Sequence, residues 1–284
     1  MNKGVIAMAA AGFIGTGNMG RMLVEAMIRS GALPADRITA CNRTPRKAEE
    51  LAEAHSGLRV VPAPEDVARL SEIVFICVRP VDVPDVVASI SSVVGAHQLV
   101  VPIASPISVE DLESILPAKV ALVIPSVVNR ALCGATLCVY GKRATDTDIR
   151  RLESLLSPFS TPVRIEERFV RIASDLSSCG PAFLALFLQK FVDAAVAETG
   201  IDRELAGRLV SAMTLGTAKL LTAESFTFAS IRERVAVPGG ITALGLEFLE
   251  REWNDVFVRL VRATHAKFAE DCTAMRERLN RRPR

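Results

Sequence analysis

The chain has 284 residues, which at about 150 residues per domain leaves room for about two domains. Hydrophobic residues make up 50% and charged residues 23%, a globular balance that excludes collagen-like, disordered and coiled-coil architectures. With 34 Lys plus Arg against 32 Asp plus Glu, the net charge of +2 gives no reason to expect nucleic acid as a partner.

At the N-terminus, Lys3 and the apolar run Gly4–Ile14 imitate a short signal peptide. The same run leads straight into a glycine-rich loop, so it is read as a strand beginning near Ala10. Met8 is then a candidate natural start, and whether Met1–Ala7 belong to the natural chain stays open. Apolar runs predict strands at Ala11–Ile14, Arg37–Cys41, Leu58–Val61, Ile73–Val78, Gln98–Pro102, Val120–Ile124, Thr136–Tyr140 and Pro162–Ile165. Amphipathic stretches between them predict helices at Asn18–Ser30, Pro45–His55, Val83–Val94, Ser108–Leu116 and Thr147–Ser157. Such alternation implies an α/β fold, a doubly wound parallel sheet with helices on both faces.

After about Glu166 the strand-like runs stop. Helices are predicted at Pro181–Thr199, Arg203–Leu221, Thr227–Val235, Ile241–Leu249 and Glu252–Arg278, the first opening on Pro181 after Gly180. The expected division is therefore 1–165 and 166–284, the second part all-helical. Phe183–Leu188 is apolar on nearly every side, and a domain this small has little room to hide such a helix alone. A homodimer, or a multiple of dimers, built through this half is expected. No apolar run is read as reaching the ~18 residues a membrane span needs, so no membrane partner is expected. The last nine residues, Arg276–Arg284, hold five arginines and read as a solvated tail. The six cysteines form no Cys-x-x-Cys pair, and the three histidines are scattered. Reduced thiols, no metal and a cytoplasmic location are expected.

Gly15-Thr16-Gly17-Asn18-Met19-Gly20 is a Gly-x-Gly-x-x-Gly that follows an apolar strand and opens an amphipathic helix, the setting a dinucleotide fingerprint requires. The glycines serve the tight turn, the approach of backbone to pyrophosphate, and close helix–strand packing. The helix N-terminus meets the phosphates with N–H groups and a partial positive charge. An NAD site carries an acid about 20 residues later, at the end of the second strand. That position here reads Cys41-Asn42-Arg43-Thr44-Pro45-Arg46-Lys47, without a carboxylate. Arg43 offers a fork for a 2′-phosphate, with Asn42 and Thr44 as neutral donors, so NADP is the expected cofactor.

Four segments together resemble the pyrroline-5-carboxylate reductase family along nearly the whole chain. Gly12–Met19 is similar to its opening motif, and Val78-Arg79-Pro80 to its Val-Lys-Pro. Leu176–Phe183 is similar to its Ser-Gly-Ser-Gly-Pro-Ala-Tyr, and Val237–Thr242 to its Ser-Pro-Gly-Gly-Thr-Thr. A branch of that family, the late competence proteins called ComER, is resembled more closely still, through Phe75–Pro80, Ile124–Ala131 and Ala173–Pro181. The resemblance implies a Rossmann domain, a helical dimerisation domain, and hydride transfer from NADPH to a cyclic C=N bond, most simply pyrroline-5-carboxylate to proline. It implies Val78, Arg79 and Pro80 at the cofactor and Thr242 as the residue touching the substrate nitrogen. Ser177, Cys179, Gly180, Pro181, Gly239 and Gly240 are implied around the substrate, and Asn129 reads either as a further contact for its carboxylate or as a cap of its own loop. The sequence also departs from the family. Ser178 and Cys179 stand for Gly and Ser, Val237 stands for Ser, and Pro125-Ser126-Val127-Val128 stands for Pro-Asn-Thr-Pro. These changes thin the polar groups on the substrate side and leave the cofactor side intact. They keep a second expectation open, an NADP-binding regulatory protein of the same fold with little or no turnover.

Overall fold

The computed structural model describes residues 9–280. Met1–Ala7 and the tail arginines at 281, 282 and 284 lie outside the described residues.

Eight strands form one sheet: β1 (Ala9–Ile14), β2 (Ile38–Cys41), β3 (Arg59–Val60), β4 (Ser71–Ile76), β5 (Leu99–Pro102), β6 (Lys119–Ile124), β7 (Ala135–Tyr140) and β8 (Thr161–Arg164). Their spatial order is β3-β2-β1-β4-β5-β6-β7-β8. All neighbours run parallel except β6 and β7. The doubly wound parallel sheet expected from the sequence carries one antiparallel pair there. A parallel return needs a crossover of about a dozen residues or more, usually a helix. Residues 125–134 supply only a short turn, Val127–Ala131, and then reverse the chain through Leu132 and Gly134, both with positive φ.

Six helices cover this sheet: α1 (Asn18–Arg29), α2 (Pro45–Ala54), α3 (Pro64–Leu70), α4 (Val83–Ile90), α5 (Val109–Ile115) and α6 (Asp146–Leu156). Of these, α3 lies outside the predicted helices, since the prolines at 62 and 64 suggest a turn. Pro64 is instead the first helical residue, where its missing N–H costs nothing. Strand residues alternate between two cores. Phe13, Phe75, Val101 and Val123 pack on one face, Ile14, Ile76, Val100 and Leu122 on the other. Phe13 and Phe75 pair in register and their rings stack at 4.9 Å. The strand order turns outward from β1 and β4, so the crevice at their C-terminal ends is the topological switch point where such sheets bind ligands.

The remaining helices are α7 (Val170–Ser174), α8 (Gly180–Thr199), α9 (Arg203–Ala223), α10 (Phe228–Val235), α11 (Ile241–Glu252) and α12 (Val256–Asn280). A π turn, Asp175–Cys179, joins α7 to α8, so helical structure runs unbroken across Pro181. The expected helix start at Pro181 is therefore corrected. Proline has no N–H to give the carbonyl four residues back. That carbonyl belongs to Ser177, and it accepts instead from Ser126 Oγ at 2.8 Å. The joined helix, Glu167–Thr199, is long and apolar enough to cross a membrane by length and composition, which corrects the reading that no such stretch exists.

The chain divides into two compact units. One holds the residues up to Gly180 and those from Thr264 onward, and the other is Pro181–Ala263. In the first, the end of α12 joins the sheet core through Met275. In the second, only Val192 and Ala206 are buried.

Candidate functional site

The glycine loop is fixed by strand hydrogen bonds carried one residue too far. Cys77 N–H donates to the Ile14 carbonyl at 2.8 Å, and Gly15 N–H donates to the Cys41 carbonyl at 2.9 Å. Gly15 turns there with φ +102°, and a Cβ would lie 2.6 Å from the Cys77 carbonyl oxygen. At Gly20 a Cβ would lie 2.1 Å from the Gly15 carbonyl oxygen, so the helix could not approach the strand. A Cβ at Gly17 would meet nothing within 4 Å. No packing within the chain calls for a glycine at 17, and the open space suits a phosphate passing over the backbone. Helix α1 starts at Asn18, Met19 and Gly20 with no side-chain cap and no acid in its first turn. Thr16 is buried, and its Oγ1 has no hydrogen-bond partner. A buried hydroxyl without a partner beside an uncapped helix start fits an anionic dinucleotide.

A cleft of about 570 Å³ opens beside this loop, lined by Gly15, Gly17, Asn42, Arg43, Thr44, Lys47, Val78 and Arg79 among others. Pro80 begins the short turn that follows Arg79. Asn42 is more occupied than the sequence suggests. Its Oδ1 accepts from Thr16 N–H at 3.0 Å and its Nδ2 donates to the Thr44 carbonyl at 3.0 Å. It ties the glycine loop to the end of β2. The cleft also contains Asp82, which the sequence reading missed. Arg79 Nε donates to Asp82 Oδ2 at 2.9 Å, and Arg43 reaches Oδ1 at 3.5 Å. The hydrogen bond from Arg79 holds the Asp82 carboxyl below its usual range. The signal for this acid is its place three residues after Arg79 in a proline turn. Cys41 and Cys77 line the same cleft, and burial pushes both thiols up, Cys41 to about 12. They are neutral packing groups.

Of the residues implied around the substrate, Ser177 and Cys179 lie in the π turn, with Gly180 and Pro181 following. Ser177 Oγ donates to the Ala173 carbonyl at 2.8 Å, leaving its lone pairs available. Arg171 donates to both Asp175 Oδ1, at 2.8 Å, and Cys179 Sγ, at 3.1 Å. Thr264 donates to the other Asp175 oxygen at 2.7 Å. Cys179 is thus held inside a continuous helix by a guanidinium. Asn129 is fully buried, and its side chain is committed to its own loop. Oδ1 accepts from Ser126 N–H at 2.7 Å and Nδ2 donates to the Cys133 carbonyl at 2.9 Å. It clamps the turn after β6, as a loop cap would. Gly239, Gly240 and Thr242 belong to the other unit. Gly239 has φ +73°, Gly240 precedes α11 as its cap residue, and Thr242 is the second residue of that helix. The Gly240 N–H closes the turn on the Val237 carbonyl at 2.9 Å.

Comparison with known proteins joins these pieces. Residues 167–271 match the family model described as pyrroline-5-carboxylate reductase dimerisation, and residues 10–106 match NADP oxidoreductase coenzyme F420-dependent. A pyrroline-5-carboxylate reductase 3 from Macaca fascicularis is 30% identical, covering 84% of this chain and 87% of that protein. The chain belongs to the pyrroline-5-carboxylate reductase family. Within it, ComE operon protein 4 of Bacillus subtilis is 37% identical over 95% of this chain and 98% of its own length, in line with the late competence branch. Two solved reductases share the fold at 22% identity. That of Coxiella burnetii has a TM-score of 0.84, covering 93% of this chain and 98% of its own. That of Plasmodium falciparum, solved with NADP bound, has 0.79, covering 96% and 100%. This family member is accordingly an NADP-dependent oxidoreductase, and its apolar helix Glu167–Thr199 falls wholly within the dimerisation match.

Proposed function

We propose that the chain reduces a cyclic imine with NADPH, and that its substrate is pyrroline-5-carboxylate, giving proline. The observation that carries this reading is Thr242. It follows Pro238-Gly239-Gly240 at the start of α11, and its hydroxyl has no hydrogen-bond partner among the described residues. A hydroxyl can donate or accept as the protonation of a substrate nitrogen changes. NADPH, when bound, supplies the hydride. A protonated imine accepts hydride readily, so the chain need not provide a strong acid. Its task is to orient two reactants and bind a carboxylate. The glycine loop, Thr16 and Arg43 serve the cofactor. Thr242, the turn Pro238–Gly240 and the π-turn segment Ser177–Pro181 serve the substrate. The working form is a homodimer or a multiple of dimers in the cytoplasm, a setting that suits six free thiols.

A second reading has its own support. Val237 is exposed and apolar where the family carries Ser, and Cys179 replaces another Ser. The fold could then bind NADP for regulation with little turnover. One series separates the two. Thr242→Val is nearly isosteric and is expected to keep NADPH binding. It should lower kcat/KM for pyrroline-5-carboxylate about 10-fold or more, the effect of one lost polar contact. Val237→Ser is expected to lower KM. Wild-type activity untouched by Thr242→Val would remove Thr242 from the site. Absence of turnover in a protein that binds NADPH would favour the regulatory reading.

A further inference from the structure

The cleft beside the glycine loop holds an acid among its bases, and the acid comes from the turn after β4 rather than from the end of β2. Asp82 closes the turn Pro80–Asp82, and Arg278 near the end of α12 donates to the Val81 carbonyl in that turn at 3.1 Å. Both Asp82 oxygens are engaged. Oδ2 accepts from Arg79 Nε at 2.9 Å, and Oδ1 accepts from Arg79 at 3.3 Å and from Arg43 at 3.5 Å. The acid is the sheltered member, its side chain 24% exposed against 77% for Arg43 and 67% for Arg79. The carboxylate is thus set on a pinned turn, and the two guanidiniums reach to it on long side chains.

We propose that Asp82 is a specificity-determining residue of the dinucleotide site, a resident counter-ion that competes with the cofactor's 2′-phosphate for Arg43 and Arg79. The inference rests on the reading of Arg43 as the partner of that phosphate. A 2′-phosphate on Arg43 would bring up to about two negative charges against a carboxylate already lying on the same guanidinium. The two anions repel, and one arginine cannot serve both at full strength. A ribose 2′-hydroxyl meets no such repulsion, and a carboxylate is a group that accepts from it. Asp82 therefore narrows the preference for the phosphorylated dinucleotide, and neutralising it widens that preference. Lys47 and Asp85 line the same cleft and are unchanged by the substitution, so the comparison isolates one charge.

The test is calorimetric titration of the full chain with two probes that lack the nicotinamide. Adenosine 2′,5′-bisphosphate carries the phosphate in question, and adenosine 5′-monophosphate does not. Asp82→Asn and Asp82→Ser are each expected to bind the bisphosphate about threefold or more tightly at low salt, with the gain shrinking as salt is raised. Their affinity for the monophosphate, whose 2′-hydroxyl loses an acceptor, should stay at or fall below the wild-type value. Arg43→Gln reports separately on the underlying reading and should weaken the bisphosphate about tenfold. If both Asp82 variants bind the bisphosphate no more tightly than wild type while Arg43→Gln weakens it, the counter-ion role is wrong and the Arg43 reading stands. If Arg43→Gln leaves bisphosphate binding unchanged, the phosphate lies elsewhere and the role of Asp82 falls with it.

Discussion

The sheet unit and the unit Pro181–Ala263 solve the burial problem differently. In the first, apolar side chains from successive strand positions fill two cores, and Phe13, Phe75, Leu23 and Leu112 are fully buried. In the second, α8 carries Leu184, Phe187 and Phe191 and α9 carries Leu205, Leu209 and Met213, each set at helical spacing and all exposed. Its aromatic rings Phe187, Trp253 and Phe257 touch edge-on, yet Phe257 remains 58% exposed. A stripe of this kind is the mark of an interface. One unit therefore carries its own core, and the other presents the half of a core that a second surface completes.

The largest expected effect tests the first half of that contrast. Phe75→Ala removes a fully buried ring stacked on Phe13 and should cost about 3–5 kcal/mol of unfolding free energy, read by denaturant titration. An equal truncation at exposed Leu186 should leave unfolding of the sheet unit almost unchanged, and parity between the two would break the contrast.

Next comes the interface itself. Leu209→Glu places a charge in the exposed stripe of α9 and should weaken self-association about 100-fold, equivalent to about 2.7 kcal/mol. Light scattering should fall from about twice the 30.6 kDa chain mass toward the single-chain value. A wild-type chain that stays monomeric at micromolar concentration would overturn the interface account.

The smallest effect sharpens the boundary between the two halves. Ser126→Ala leaves the Ser177 carbonyl without the donor that replaces the missing N–H of Pro181. The expected loss is about 1–2 kcal/mol, measured by denaturant titration. Pro181→Ala supplies the N–H, so the double variant should recover part of that loss.

These same regions differ in how much the sequence disclosed. All eight strands could be placed: β1, β2 and β4 to β7 are short, largely buried apolar runs bounded by turn residues, a local signal, while β3 and β8 are the more exposed edges. The glycine loop was legible for the same reason, since a turn, an open approach and a helix start occupy six consecutive residues. What escaped depends on distant partners. Asp82 belongs to the cleft only because β1 and β4 are neighbours in the sheet. Asn129 reads equally as a ligand contact or a loop cap until the chain reversal at Leu132 and Gly134 brings its loop around it. Pro181 reads as a helix start because nothing near it in sequence announces Ser126 as the substitute donor. Arg171 and Asp175 could be seen as an i,i+4 pair, but Thr264 arrives from almost ninety residues away.

The most direct test of the proposed function is to follow the hydride itself. NADPH carrying deuterium at both positions of the nicotinamide C4 is mixed with pyrroline-5-carboxylate and the purified chain, and the product is analysed by mass spectrometry. A reductase of this kind yields proline one mass unit heavier, in step with cofactor oxidation, and the yield falls with Thr242→Val. If calorimetry shows NADPH bound and no labelled proline forms above the protein-free control, the chain does not perform this reduction.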